Sequence, residues 1–291
     1  MLKRGDRIGL VACSNPLKPW EQDQITALAE TFAKLGLSPV FSNYIFEEEP
    51  DSSVAGAERA QVLNDFYNDD SIKAIFDVSG GDIANELLDF MDYQSIKKHP
   101  KPFFGYSDLT TIINAIYKKT GNVSYLYQAR CLAWENKEIQ TVNFANSILN
   151  GQEDLYKSKW DFIRGTSVEG IVVGGNIRCL LKLAGTPYMP DFEDKVLFLE
   201  SYGGGVALMK TDSSQLAQMG VFKKIAGLLL GTFTKMEENN ESPTIAELVL
   251  SAADQATPIA KTQELGHGNN SKCLIIGNKY ACRGETYPVP D

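Results

Sequence analysis

The sequence predicts an α/β protein: an N-terminal doubly wound parallel sheet domain with a smaller β-rich C-terminal domain. Three observations carry this. Over the first half, short β-rich runs alternate with helical patterns, the rhythm of a parallel sheet covered on both faces. After about residue 135 the chain turns polar, as a connection does. Beyond it, short apolar runs recur between glycines, with few helical stretches. The reading is therefore 1–135 for the N-terminal domain, 136–165 for the connecting segment and 166–291 for the C-terminal domain, mixed α/β or barrel-like.

The elements follow in order. Residues 7–13 (RIGLVAC) read as a buried strand. Residues 22–35 form a helix, because Ile25, Leu28, Ala29, Phe32 and Leu35 keep the helical period and Gly36 stops it. Strands are expected at 39–41, 74–78, 102–106 and 123–127, with helices at 55–66, 84–90 and 109–118. The connection holds one helical stretch near 140–149. The second part has strand candidates at 170–173, 196–199, 227–230, 273–276 and 280–283, and helices at 177–183, 213–219 and 244–256.

Composition narrows the function. Among 291 residues, Lys plus Arg is 28 against 37 for Asp plus Glu, a net charge of −9. No basic stripe is present, so a nucleic-acid partner is not expected. No apolar run approaches the roughly 20 residues of a membrane span. No secretory leader is recognisable near Met1, so the expected location is cytoplasmic. The cysteines at 13, 131, 179, 273 and 282 are odd in number and lack C-x-x-C spacing, which argues for buried thiols and against a disulfide framework or zinc site. Two histidines, His99 and His267, nearly exclude a multi-histidine metal centre. No metal or cofactor is expected.

Four features suit chemistry. In Phe103-Phe104-Gly105-Tyr106-Ser107-Asp108-Leu109-Thr110 a strand ends, a serine follows and a helix begins, the arrangement of a nucleophile elbow without the full G-x-S-x-G pattern. Ser107 or Asp108 equally suits a helix cap. Gly266-His267-Gly268 places an imidazole on backbone free to turn, whereas His99 reads as surface loop. The run 196–199 ends at Glu200, where a strand-end carboxylate suits an imidazole partner as well as an ordinary exposed acid. Ser79-Gly80-Gly81-Asp82 lies between strand and helix, and its amides suit an oxyanion or a phosphate. Gly174-Gly175-Asn176 suits a second-domain turn and Gly203-Gly204-Gly205 a loop tip. Trp134 and Trp160 suit packing, or stacking on a base.

Taken in order, Gly5-Asp6-Arg7-Ile8-Gly9-Leu10-Val11-Ala12, the segment 80–93, the segment 102–110, Gly174-Gly175-Asn176-Ile177, Gly185-Thr186-Pro187-Tyr188, Leu197-Phe198-Leu199-Glu200 and Leu265-Gly266-His267-Gly268 resemble the LD-carboxypeptidase family of serine peptidases. That family includes murein tetrapeptide carboxypeptidases and the microcin C immunity hydrolases. The resemblance implies a Ser-Glu-His triad split between two domains, and a homodimer. Ser107 matches the nucleophile, Glu200 the acid and His267 the base; the amides of Asp108 and of Gly80 or Gly81 match the oxyanion hole. Ser79 stands where many murein-cleaving members have Arg, and 124–130 lacks a Gly-Pro that many carry.

The expected activity is hydrolysis of an amide bond near a free carboxylate, on murein-type peptides. One alternative is a microcin C immunity-type hydrolase acting on a peptidyl-nucleotide or acyl-sulfamoyl adenylate. Another, from a different class, is a two-lobed small-molecule binding protein without catalysis, in which Ser107, Glu200 and His267 would lie beyond hydrogen-bond reach. A third is an inactive homologue with an interaction role, keeping the triad geometry without turnover.

Overall fold

The computed structural model describes residues 2–49 and 53–284; residues 285–291 of the expected second domain lie outside them. Twelve strands follow the chain: β1 Arg7–Val11, β2 Ser38–Phe41, β3 Ile72–Asp77, β4 Phe103–Gly105, β5 Ser124–Leu126, β6 Asp161–Arg164, β7 Ser167–Asn176, β8 Lys195–Ser201, β9 Gly227–Phe233, β10 Ile259–Lys261, β11 Leu274–Ile276 and β12 Lys279–Arg283. They form two six-stranded sheets, ordered β11-β5-β4-β3-β1-β2 and β12-β7-β8-β9-β10-β6. The α/β architecture expected from the sequence is present.

In the first sheet β1 to β5 are parallel, and the chain reverses its direction of travel between β1 and β3. Ligands bind at such a switch point, outside the strands' carboxyl ends. The strands read as continuous apolar runs because both faces are covered. Ile8, Leu10, Ala74, Phe76 and Phe104 enter one core with Ile25, Leu28 and Phe32 of the helix Gln22–Lys34. Val11, Ile75 and Phe103 enter the other, which continues into Phe198 and Leu229 of the second sheet.

The two domains meet through the helix Thr110–Thr120, which follows the candidate nucleophile. Asn114 exchanges two hydrogen bonds with Gly174, both at 2.9 Å, and Thr110 Oγ1 accepts from the Asn176 amide at 3.0 Å. A Cβ on Gly175 would lie 2.5 Å from Thr110 Oγ1. Gly174-Gly175-Asn176 is therefore the end of β7, bare of side chains where a helix crosses it, and not the turn read from sequence.

Other elements differ from the sequence reading. Residues 84–90 hold only the 3₁₀ turn Ala84–Leu87, whose first amide is taken by Asp108 Oδ2 at 2.8 Å. The helix expected at 213–219 begins earlier, as Val206–Gln218, because Glu241 Oε2 accepts from the Val206 amide at 2.8 Å and closes the helix start from a distant loop. The helix Tyr93–Lys98 and the strands β6 and β10 have no counterpart in that reading. β6 falls within the connecting segment 136–165 yet is an edge strand of the second sheet. β11, read with the C-terminal domain, pairs antiparallel with β5 of the first sheet.

Candidate active site

Ser107 sits two residues past the end of β4 with φ +55°, in the left-handed region that only a few per cent of non-glycine residues occupy. The turn closes by a hydrogen bond from Leu109 N to Tyr106 O at 3.0 Å. It is so tight that a Cβ on Gly105 would lie 2.8 Å from Leu109 Cβ. The serine side chain is thereby pushed up above the sheet.

His267 comes from the loop after β10. Thr232 N donates to Leu265 O at 2.8 Å, and a Cβ on Gly266 would fall 1.7 Å from Thr232 Oγ1. Only a glycine lets this loop lie so close to β9. Glu200, fully buried, is the last residue but one of β8. The structure brings the three side chains together: His267 Nε2 is 3.2 Å from Ser107 Oγ, and His267 Nδ1 is 2.7 Å from Glu200 Oε2. A carboxylate oxygen accepts, so Nδ1 carries the proton and Nε2 is left to accept from the serine hydroxyl. Tyr106 packs edge-on to the imidazole at 4.9 Å, and Tyr202 flanks it at 5.1 Å. Burial, with Glu200 beside it, pushes the Tyr106 phenol well up, so that ring stays neutral.

The glycine loop is built on Asp77. Its buried carboxylate accepts from Cys13 N, Ser79 N and Ser79 Oγ at 2.6–2.8 Å, although burial still raises its pKa. Asn15 N donates to Gly80 O at 3.1 Å and Asn15 Oδ1 accepts from Asp82 N at 2.7 Å. Carbonyl and N–H point opposite ways across a trans peptide. The Gly81 N–H therefore points away from Asn15. Gly81 has φ +125°, and a Cβ there would meet Asn15 Oδ1 at 2.0 Å.

Gly80, Gly81, Ser107 and His267 line one open cavity of about 500 Å³. Its far wall includes Trp134, with the Arg130 guanidinium 5.6 Å from the ring centre, and Arg178, which pairs with Asp82. Glu21 and Gln24 hold Arg130. A larger cavity, about 650 Å³, lies between residues 153–160 and 273–283 and contains none of the three residues. Trp160 belongs there, donating to Tyr280 Oη at 2.6 Å. Of the two tryptophans considered for stacking, only Trp134 reaches the site. His99 lies elsewhere, 3.4 Å from Asp70. Asn176, Arg130, Arg178, Tyr202 and Lys182 escaped the sequence reading as site residues. Only the Gly-Gly-Asn run carried a signal, and it pointed to a turn.

Among the described residues no group of three or more metal-ligating side chains occurs, and no helix is long and apolar enough to cross a membrane.

A two-domain α/β fold with this site at the seam defines a class. Residues 8–127 match the family model for the LD-carboxypeptidase N-terminal domain and residues 169–281 that for its C-terminal domain. The chain belongs to the LD-carboxypeptidase family, a family of serine peptidases. It is 27% identical to the Microcin C7 self-immunity protein MccF of Escherichia coli, over 95% of this chain and 90% of that one. It is 26% identical to the "Probable murein peptide carboxypeptidase" of Bacillus subtilis, over 96% of this chain and 89% of that one. The crystal structure of an MccF-like protein from Bacillus anthracis superposes with a TM-score of 0.84 at 26% identity, covering 98% and 95% of the two chains.

Proposed function

We propose that the protein is a serine hydrolase that cleaves an amide bond near a free carboxylate, acting as an LD-carboxypeptidase on murein-type peptides. The observation that carries this is the chain of contacts from Ser107 Oγ to His267 to Glu200, at 3.2 and 2.7 Å. His267 Nε2 takes the hydroxyl proton as Ser107 Oγ attacks the carbonyl carbon, and Glu200 steadies the resulting imidazolium. The oxyanion is held by the amide of Asp108, at the start of a 3₁₀ turn where N–H groups lack helical acceptors, and by that of Gly81 or Gly80. Loss of one such donor costs about 100- to 1000-fold in rate. His267 then gives its proton to the leaving amine, and water, activated by the same imidazole, releases the acyl group from Ser107. Nε and Nη2 of Arg130 are engaged by Glu21 and Gln24, which leaves Nη1 for a substrate carboxylate.

A second reading is a microcin C immunity-type hydrolase for a peptidyl-nucleotide or acyl-sulfamoyl adenylate. Trp134 favours it, since an indole backed by a guanidinium offers a flat wall to a base. Incubation with a murein tetrapeptide and with an aminoacyl-sulfamoyl adenosine, read by mass, separates the two: the first reading expects loss of the terminal D-alanine. The reading as a binding protein without catalysis expects Ser107, Glu200 and His267 beyond hydrogen-bond reach, and the distances of 3.2 and 2.7 Å count against it. Ser107→Ala is expected to abolish amide release, and full activity of that variant would sink the mechanism.

A further inference from the structure

The second domain reaches the first at another point beside the nucleophile. Helix Ile177–Leu181 ends at Lys182, whose ammonium donates to Asp108 Oδ1 at 2.5 Å and to Asp82 O at 2.8 Å. Asp108 follows the nucleophile directly, and its side chain is 0% exposed. Its other oxygen accepts from Ser14 Oγ at 2.6 Å and from Ala84 N at 2.8 Å. One carboxylate thus joins the serine turn to the segments flanking the glycine loop, and one ammonium fastens it to the other domain. Arg178 adds a second tie through Asp82 and Gly81 O, but that pair is about half exposed and contributes little on its own.

We propose that Lys182 is a positioning residue for the hydrolysis assigned above, on which this inference rests. It acts in two ways. The Asp108 amide is offered to a developing oxyanion while the carboxylate of the same residue, buried and unscreened by water, opposes that charge; the Lys182 ammonium cancels the opposition. By binding Asp108 Oδ1 and Asp82 O together, it also fixes the spacing between the two backbone segments that supply oxyanion donors. Displacement by about 1 Å in such a site costs about 100-fold. Lys182 touches neither Ser107 nor the imidazole and acts only through Asp108 and Asp82.

The test uses the full chain and a small fluorophosphonate. Ser107 Oγ attacks phosphorus, its proton passes to His267 and fluoride leaves, so negative charge gathers on the phosphoryl oxygen where the oxyanion donors act. Lys182→Met is expected to lower the second-order labelling rate by about 10- to 100-fold. That substitution also strands a buried carboxylate and lowers stability, so Asp108→Asn/Lys182→Met is measured beside it. The double variant carries neither charge. Its melting temperature is expected to return toward that of the parent chain. Its labelling, freed of the opposing charge, is expected to recover in part but to stay below the parent rate, because the two backbone segments are no longer held together. Labelling of Lys182→Met at the parent rate overturns the inference and leaves the nucleophile assignment standing; labelling of the double variant at the parent rate overturns the spacing role and reduces Lys182 to charge cancellation. Absence of labelling at Ser107 in the parent chain overturns that assignment, and the inference falls with it.

Discussion

Asn176 donates its side-chain amide to Glu200 Oε1 at 3.1 Å, on the oxygen opposite the one that meets His267. The two residues are paired in register on the parallel strands β7 and β8. The sheet itself therefore sets the carboxylate that orients the imidazole, and Glu200 has a partner on each oxygen although no water reaches it. Asn176→Ala leaves one buried oxygen without a donor, which costs about 1–3 kcal/mol of stability. Asn176→Asp keeps the size and sets two carboxylates face to face, so its kcat is expected to fall further than that of the alanine variant. Melting curves and kcat on the cleaved amide check this; an Asp variant with parental kcat would remove Asn176 from the argument.

Ser107 supplies a stability counterpart. Its left-handed backbone costs a residue with a Cβ about 1–2 kcal/mol, and glycine nothing comparable. Ser107→Gly and Ser107→Ala are both expected to be inactive, but the glycine variant should melt above the alanine variant. Equal melting temperatures would show that the turn holds no strain.

The first sheet was legible because its strands are apolar on both faces and its helices keep the 3.6-residue period. Glu200 and His267 were legible as types at strand and loop ends, and Ser107 through the strand–serine–helix pattern. What escaped depends on contacts between distant segments. No periodicity tells β11 to join β5 rather than its neighbours in sequence. Glu241, which closes the start of Val206–Gln218, lies in a polar loop that composition alone describes. Lys182 reads as an ordinary helix-end cation until Asp108 is seen beneath it. Asn176 was visible only as part of a glycine-rich run, since its meaning comes from strand register.

Asp82 gives a pH dependence with a definite sign. The hydrogen bond from Arg178 holds its carboxyl below the ordinary value of 3.8. A depressed carboxyl stabilises the fold above its unfolded pKa, and the contribution vanishes as pH falls through the lower folded pKa. Both side chains are about half exposed, so solvent screening keeps the pair to less than about 1 kcal/mol. Urea midpoints of the parent chain and Arg178→Ala are expected to differ slightly at pH 7 and to converge below pH 3.8. A constant difference across that range would mean that Arg178 stabilises by packing alone.

The thiols are predicted to be inert in the native state. All five are free; Cys13, Cys131, Cys179 and Cys273 are buried and Cys282 is half-buried. Burial pushes Cys131 up to about 12 and Cys282 up to about 11, and raises the other three as well. Since the thiolate is the reacting form, iodoacetamide at pH 8 should modify Cys282 slowly and the rest only after denaturation. Rapid native alkylation of Cys13 or Cys273 would mean that the segments covering them open.

Gly266 tests whether the loop path, and not merely the presence of an imidazole, matters. Its φ is +153°, and any Cβ would collide with Thr232 Oγ1 and Cβ, at 1.7 and 2.8 Å. Those atoms belong to β9, in the middle of a sheet, so the loop must give way and the strand cannot. Gly266→Ala is expected to destabilise the fold by about 1–3 kcal/mol and to draw His267 away from Ser107 and Glu200 together. The double variant Gly266→Ala/Thr232→Gly removes the obstacle on the strand and is expected to recover part of the lost kcat. If the double variant is no more active than Gly266→Ala alone, contact with Thr232 is not what sets the position of the imidazole.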